Sequence, residues 1–260
     1  MHSIRFSVLA SGSGGNAFYL ETEKTRILID VGLSCQETER RLKQVGVRPD
    51  TLDALLVTHE HIDHIKGVGP LARRYDLPVY TNLRTFERAR KKLGNVSRPV
   101  IFQTGQTLTI NHLNIETFTK CHDAADPVGI VFAYNGIRAG LITDFGRSTR
   151  LVEERLKGCQ ALIMEFNYDQ KMLDEGPYPL NLKRRIKGAE GHLSNHQAGE
   201  LLKVVSHDNL RVVVLAHLSE TNNHPSKARR EAVDALCERG MVKTQVLISK
   251  QDDTGEMIEL

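Results

Sequence analysis

The stretch DALLVTHEHIDH, residues 53–64, constrains the fold more than any other part of the sequence. Its first half is apolar and predicts a buried strand. Its second half carries His59, His61, Asp63 and His64 within six positions. A surface or core role explains a lone histidine but not a cluster of this density at a strand end. Because imidazole and carboxylate bind Zn²⁺, Mn²⁺ or Fe²⁺, the stretch predicts a metal site at one edge of a sheet.

Three more ligand-type residues come after apolar strands further along the chain. His122 follows IETFTKC, Asp144 ends AGLITD and His217 follows RVVVLA. A catalytic site with two metals needs about seven ligands, one of which bridges the ions. Each of these residues taken alone also suits a helix N-cap or a loop. Taken together and in this order, they favour a rigid site at one sheet edge.

The rest of the sequence alternates short strands with helices. Meandering strands dominate its early and central parts, and NG at 135–136 is typical of a hairpin turn. Helices are predicted at 65–76, at 83–94 and within about 180–206. Two mixed sheets packed face to face, with helices outside, would bury these elements. Since we find no Pro/Gly-rich linker, we expect one domain over residues 1–260.

Five of these motifs, in order, resemble the metallo-β-lactamase superfamily. They are Asp30 in LIDVG, then THEHIDH, His122, Asp144 and His217. The blocks LASGSGGN, EFNYD, GPYP and EGHLSN are similar to the YycJ (WalJ) group of that superfamily, a group of 5′-to-3′ exonucleases. EFNYD departs from the pattern, because it carries Tyr168 where we expect histidine in many relatives. The resemblance implies an α/β fold, a four-layer αβ/βα sandwich with two mixed β-sheets flanked by helices. A chain of 260 residues has no room for the large inserted domain of the β-CASP nucleases, so we expect none.

The resemblance also implies a ligand set for two divalent ions, which we expect to be Zn²⁺, Mn²⁺ or Fe²⁺. The first ion would be held by His59, His61 and His122. The second would be held by Asp63, His64 and His217. Asp144 would bridge both ions, and Asp30 would orient a ligand histidine from behind.

Two residues are candidates for proton transfer. By analogy with the family, Asp63 would handle the proton of the attacking water as well as bind metal. The block EGHLSN resembles the histidine loop of RNase Z-like nucleases, so His192 would protonate the leaving oxygen or stabilise the phosphate. The alternative is that His192 only caps the helix that starts near Ser194.

Several features favour phosphodiester cleavage, and we predict a 5′-to-3′ exonuclease acting on DNA. A bridging Asp144 stands where β-lactamases proper typically have cysteine. The basic residues Lys183, Arg184 and Arg185 precede His192 and suit a polyanionic strand. With no tryptophan and 5% aromatic residues, base stacking would be limited to Tyr168 and Tyr178. The alternatives are a hydrolase of small thioesters or lactones on the same site and, third, a non-enzymatic metal-binding regulator.

Composition adds expectations about location and charge. No apolar run approaches the roughly 18 residues that span a membrane, and we read no signal peptide. We therefore expect a cytoplasmic protein with no membrane partner. The formal net charge of +3 is only weakly basic.

The glycine-rich segment SGSGGN, residues 11–16, does not match a phosphate-binding P-loop, because a strand follows it where a helix is required. Its glycines predict a tight connection between two strands. Because the family places this connection near the metals, we expect Ser11, Ser13 and Asn16 to hold a substrate phosphate together with backbone N–H groups.

Overall fold

The first sheet of the protein is built from the N-terminal part of the chain and its last strand. We describe it from a computed structural model of residues 3–260. Its strands run in the spatial order β14-β1-β2-β3-β4-β5-β6, antiparallel from β1 to β3 and parallel from β3 to β6. They are β1 (Arg5–Ala10), β2 (Ala17–Glu21), β3 (Arg26–Ile29), β4 (Ala54–Leu56), β5 (Val79–Asn82), β6 (Pro99–Phe102) and β14 (Ile258–Glu259).

The second sheet repeats this mixed pattern. Its order is β13-β12-β11-β10-β9-β8-β7, antiparallel from β7 to β10 and parallel from β10 to β13. The turn between β9 and β10 is the predicted hairpin, with Asn135 and Gly136 both at positive φ. The strands are β7 (Thr107–Ile110), β8 (Leu113–Thr119), β9 (Val128–Tyr134), β10 (Ile137–Ile142), β11 (Ala161–Glu165), β12 (Val212–Ala216) and β13 (Gln245–Ile248).

Helices cover the outer faces of both sheets. Capping side chains fix where several of them begin: Asn82 accepts from the N–H of Thr85, and Ser194 forms a capping box with Gln197. The helices are α1 (Cys35–Gln44), α2 (Ile62–Ile65), α3 (Val68–Tyr75), α4 (Leu83–Leu93), α5 (Arg150–Leu156), α6 (Gln170–Glu175), α7 (Leu180–Lys187), α8 (Asn195–Val205) and α9 (Pro225–Glu238).

Three apolar clusters join these layers. The central one lies between the sheets and includes Phe18 and Phe132. The second packs α5, α8 and α9 on the outer face of the second sheet, around Phe166. The third packs α1, α3 and α4 on the first sheet, around Leu71. The predicted four-layer αβ/βα sandwich is therefore confirmed. In the described part of the chain no helix is both long and apolar enough to cross a membrane.

Two predicted helices differ from the structure. The predicted helix 65–76 is divided into α2 and α3, because the N–H of Gly67 donates to the carbonyl oxygen of Val31 and the carbonyl oxygen of Asp63 accepts from the N–H of Asn16, so the helical bond between these two residues is absent. The helical stretch predicted at about 180–206 contains α7 and α8, and the loop 188–194 between them carries His192. Both breaks lie at the edge of the sandwich where the ligand-type residues gather.

Candidate metal centre

Polar side chains from both sheets meet at one edge of the sandwich, just past the strand ends. Asp30 and His217 directly follow β3 and β12, and Asp144 is the second residue after β10. All three have positive φ, between 55° and 57°, which turns the chain sharply where each strand ends. Such backbone is uncommon outside glycine and costs about 1 kcal/mol or more per residue, so its occurrence here indicates a constrained functional site.

The first group of ligand-type side chains is His59, His61 and His122, whose ligand atoms lie within 4.8 Å of one another. The hydroxyl oxygen of Thr58 lies 3.0 Å from Nδ1 of His59, and the carbonyl oxygen of Glu190 lies 3.2 Å from Nδ1 of His122. These contacts orient the rings with their Nε2 atoms towards the site. Burial lowers the pKa of His122 to about 4 and that of His59 well below its usual value, so both imidazoles are neutral.

Asp144 lies between two further histidines. Its Oδ2 is 3.3 Å from Nε2 of His64, and its Oδ1 is 3.3 Å from Nε2 of His217. Oδ2 of Asp63 is 3.5 Å from the same Nε2 of His64. The predicted ligands of the second ion therefore lie together, with Asp144 between them and the histidines of the first group; His59, His64 and Asp144 also have ligand atoms within 4.8 Å of one another.

Asp30 lies behind this layer, as the resemblance implies. It is fully buried, and its Oδ2 accepts a hydrogen bond of 2.7 Å from Nδ1–H of His64. The N–H and hydroxyl of Thr58 also donate to its two oxygens, at 2.8 and 2.7 Å. Asp30 thereby fixes the His64 tautomer that leaves Nε2 directed at Asp144.

The sequence analysis missed Glu165, which ends β11 and is fully buried. Its Oε2 lies 3.1 Å from Nδ1 of both His192 and His217 and accepts the N–H of Asp144 at 2.7 Å. Its Oε1 accepts the N–H of Leu193 at 2.8 Å. Burial opposes its ionisation, but the two imidazoles lower the pKa of Glu165 to about 2. Glu165 follows the apolar run ALIM just as Asp144 follows AGLIT, and this shared position at a strand end could have identified it from the sequence.

His192 lies on the exposed side of the site. Its ring centroid is 5.1 Å from that of His217 and 5.6 Å from that of His122, and its side chain is 20% exposed. The helix cap predicted as its alternative role belongs to Ser194, whose hydroxyl accepts the N–H of Gln197. His192 is therefore free to face a substrate while Glu165 holds its Nδ1.

Three buried polar atoms at the centre test whether a metal fits these residues. Among residues 3–260, Nε2 of His59, Nε2 of His217 and Oδ2 of Asp144 are buried and form no hydrogen bond of acceptable geometry; the last two only approach neighbouring polar atoms at 3.3 Å. Leaving such atoms unpaired costs about 1–3 kcal/mol each, so their clustering calls for a ligand. They are nitrogen and carboxylate donors aimed at one region, which fits a divalent cation.

The electrostatics of the site also favour a cation. Burial lowers the pKa of the His64 imidazole, but Asp144 and Asp30 more than reverse this and raise it to about 10. Burial raises the pKa of Asp144, yet His217 and His64 hold it well below its usual value. The carboxylates thus attract positive charge to the position between the histidines, where a metal ion can replace protons.

The residues predicted to bind substrate divide into two groups. Ser11 and Asn16 are buried: Ser11 Oγ accepts the N–H of His217, and Asn16 Nδ2 lies 3.0 Å from Nε2 of His64. The N–H groups of Gly12, Gly14, Gly15 and Asn16 already donate to protein oxygens. The loop therefore supports the metal centre from inside, and only Ser13 projects from it to solvent.

The predicted basic trio is also divided. Arg185 reaches the metal centre through Asp123, to which its Nε and Nη2 donate at 2.8 and 2.6 Å. Lys183 instead donates to the carbonyl oxygen of Asp174, and Arg184 is exposed. The structure therefore brings only one of the three to the edge of the site.

The expectation that Tyr168 stacks on a base is wrong. The residue is 2% exposed and lies under the site, where its backbone pairs with Ser194. Burial raises the pKa of its hydroxyl to about 12. Tyr178 is partly exposed and remains a candidate.

Comparison with known proteins agrees with this architecture. Residues 25–218 match the family described as the β-lactamase superfamily domain, and the chain belongs to that superfamily. Within it, the chain is 41% identical to exodeoxyribonuclease YycJ of Bacillus anthracis, over 91% of this chain and 90% of the relative. It is 37% identical to exodeoxyribonuclease WalJ of Streptococcus pneumoniae, over 90% and 88%. These matches place it in the YycJ-like group.

The fold is shared with more distant solved structures. The metallo-β-lactamase fold protein YhfI of Bacillus subtilis superposes with a TM-score of 0.76 over 100% of both chains, at 19% identity. The fold and the clusters of histidine and acidic side chains together indicate that this protein binds divalent metal.

Proposed function

We propose that the protein is a metal-dependent exodeoxyribonuclease that hydrolyses phosphodiester bonds of DNA from the 5′ end. The observation that carries the proposal is the complete set of ligand-type side chains around Asp144, in a chain whose near full-length relatives are named exodeoxyribonucleases. We propose further that residues 1–260 act as one domain and that the protein works in the cytoplasm, where DNA is accessible to it.

The geometry supports two ions. His59, His61 and His122 would hold the first, and Asp63, His64 and His217 the second, with Asp144 between them. Zn²⁺, Mn²⁺ and Fe²⁺ all suit nitrogen and carboxylate ligands. When bound, such ions would lower the pKa of the attacking water and supply positive charge to counter that of the phosphate.

Two residues beside the ions, Asp63 and His192, transfer the protons of the reaction. Asp63 accepts the proton that water loses as its oxygen attacks phosphorus. The P–O bond to the leaving sugar oxygen breaks, and His192 donates a proton to that oxygen through Nε2. Because ionised Glu165 lies 3.1 Å from Nδ1 of His192, the ring is fixed in orientation with Nε2 on the side of the substrate.

The surroundings of the site favour a polyanionic substrate over a small apolar ester. The cavity beside His61 and Asp63 has a volume of about 450 Å³ and is lined by Arg88, Lys92 and Arg185. A hydrolase of small thioesters or lactones needs an apolar pocket in this place. Basic side chains instead suit a phosphate backbone.

The test is metal-dependent digestion of DNA by the purified protein. Single- and double-stranded DNA, labelled at either the 5′ or the 3′ end, is incubated with Mn²⁺ and with Zn²⁺. We expect mononucleotides to be released from the 5′ end, and Asp63→Ala and Asp144→Ala to remove activity. An RNA strand of the same sequence and thioester and lactone substrates are run in parallel. Turnover of the esters without any cleavage of DNA would replace the nuclease with the small-molecule hydrolase.

A further inference from the structure

A basic groove lies next to the metal centre, between α4 and α7. Arg88 and Lys92 form its α4 wall, Arg185 faces them from α7, and His61 and Asp63 stand at the end towards the metal centre. Its volume of about 450 Å³ falls within the ~300–1,000 Å³ of small-ligand sites. We call this the α4–α7 groove.

The α4 wall is held by the fold. Arg88 and Lys92 are four residues apart, so they share one exposed face of the helix. Ala89 and Leu93 are buried on the neighbouring face of the helix. The Leu93 backbone lies against Gly69, where a Cβ on the glycine would come within 1.9 Å of the Leu93 carbonyl oxygen. The two cations therefore point into the groove from a fixed support.

The positive charges of Arg88 and Lys92 are not neutralised by acidic side chains of the described residues. Within the part of the chain that the structure describes, neither Arg88 nor Lys92 forms an ion pair, whereas Arg185 is paired with Asp123. The groove also contains Glu60, whose Oε1 accepts the N–H of Ala125. Two unpaired cations directed at one polar cavity attract an anion.

Ile62 adds an apolar surface to the same groove. Its side chain is 48% exposed although it lies between His61 and Asp63 in sequence. An exposed large aliphatic side chain beside basic residues suits a ligand that alternates anionic groups with flat apolar rings. A strand of nucleic acid has this chemistry.

We propose that the α4–α7 groove binds a backbone phosphate of the DNA strand next to the phosphate that is cleaved, through Arg88 and Lys92. Arg185 closes the opposite side, and Ile62 contacts the adjoining sugar or base. The proposal rests on the nuclease function proposed above and identifies where the substrate strand continues beyond the metal centre. It adds two substrate-positioning residues on a helix that carries no ligand-type residue of the metal centre.

The experiment compares two double variants of one helix. Arg88→Gln/Lys92→Gln removes both cations of the groove wall. Arg90→Gln/Lys91→Gln removes two exposed cations of α4 that do not line the groove, so it has the same net charge. Binding of 3′-fluorescein-labelled single-stranded DNA is measured by anisotropy in EDTA, and KM and kcat for its digestion are measured with Mn²⁺. Circular dichroism and melting verify that both variants fold.

The groove variant should bind DNA about tenfold more weakly than the control variant. Its slope of log K against log salt should fall by about 0.7 for each phosphate contact that is lost, and its KM should rise more than its kcat falls. The affinity lost by the groove variant is compared for 5′-phosphorylated and 5′-hydroxyl strands. A larger loss with the phosphorylated strand shows that the groove binds the terminal phosphate, and an equal loss shows that it binds an internal phosphate. Equal behaviour of the two double variants overturns the proposal. Failure of the wild type to cleave any DNA contradicts the proposed function instead.

Discussion

Glu165→Gln tests the inner support of the metal centre. Glu165 is fully buried and accepts hydrogen bonds from the N–H groups of Asp144 and Leu193 and from Nδ1 of His192 and His217. At its lowered pKa of about 2 it is ionised at neutral pH. The Glu165 carboxylate thus binds the backbone of Asp144, the ring of His217 and the ring of His192, the candidate proton donor.

The cost of the substitution follows from these contacts. Glutamine keeps one acceptor oxygen, removes the negative charge and places an NH₂ group where the other oxygen was. Either the N–H of Leu193 then loses its acceptor, or the N–H of Asp144 and the two imidazoles lose theirs. Breaking a buried charged network by removing one partner costs about 3–5 kcal/mol. For a chain of this size each kcal/mol lowers Tm by roughly 2–4 °C, which gives a loss of about 6–20 °C. Because ligand orientation is also lost, nuclease activity should fall by about 10–100-fold or more.

The assay is thermal melting together with nuclease turnover at fixed Mn²⁺. Glu190→Gln is the matched control, because Glu190 contacts His122 and Asp123 only through its backbone carbonyl and its side chain is exposed. The control should melt and turn over like the wild type. If Glu165→Gln also does so, the buried carboxylate does not organise the site and this reasoning is refuted.

Three further predictions follow from single contacts. Asp30→Asn replaces the carboxylate that holds Nδ1–H of His64, so metal affinity measured by titration should fall about 10–100-fold; unchanged affinity would contradict its supporting role. EDTA should lower Tm and added Mn²⁺ should restore it, because a metal ion that binds only the native state stabilises that state. If neither EDTA nor Mn²⁺ changes Tm, the metal site is contradicted. In α1, hydrogen bonds from Arg40 and then Arg41 lower the pKa of Glu37 from 4.5 to about 2. Its contribution, about 1–2 kcal/mol after allowance for its exposure, is therefore complete above pH 4.5 and is lost as pH falls towards 2, so denaturant unfolding of Glu37→Gln should show a weaker loss of stability over that range than the wild type.

The positions of the metal-centre residues could be predicted because they follow apolar strands. The carboxyl ends of parallel strands meet at one edge, so His217 after β12 and Asp144 after β10 were expected to lie together. Glu165 shares this position at the end of β11, but the sequence analysis did not single it out. The same rule applied to every acidic residue at a strand end would have found it.

The substrate side of the site was harder to predict. Arg88 and Lys92 form an ordinary solvated face in the sequence, and only the packing of α4 beside α2 brings them to His61 and Asp63. Conversely, Lys183 lies in a basic run that leads to His192, yet it bonds to Asp174 within the α6–α7 region. Local charge therefore did not reveal which cations face the site, because that depends on contacts between distant segments.

The glycine-rich loop shows why the interior of the site carries so many polar side chains. His217 is held at a positive φ of 55° by the Ser11 hydroxyl, and Asp144 at 57° by Glu165, in each case through its backbone N–H. Strained backbone of this kind persists only where the surroundings fix it. Ser11 and Glu165 thus stabilise the sharp turns that direct ligand side chains inwards. The polar residues behind the metal centre are needed for the backbone of the ligands as much as for their rings.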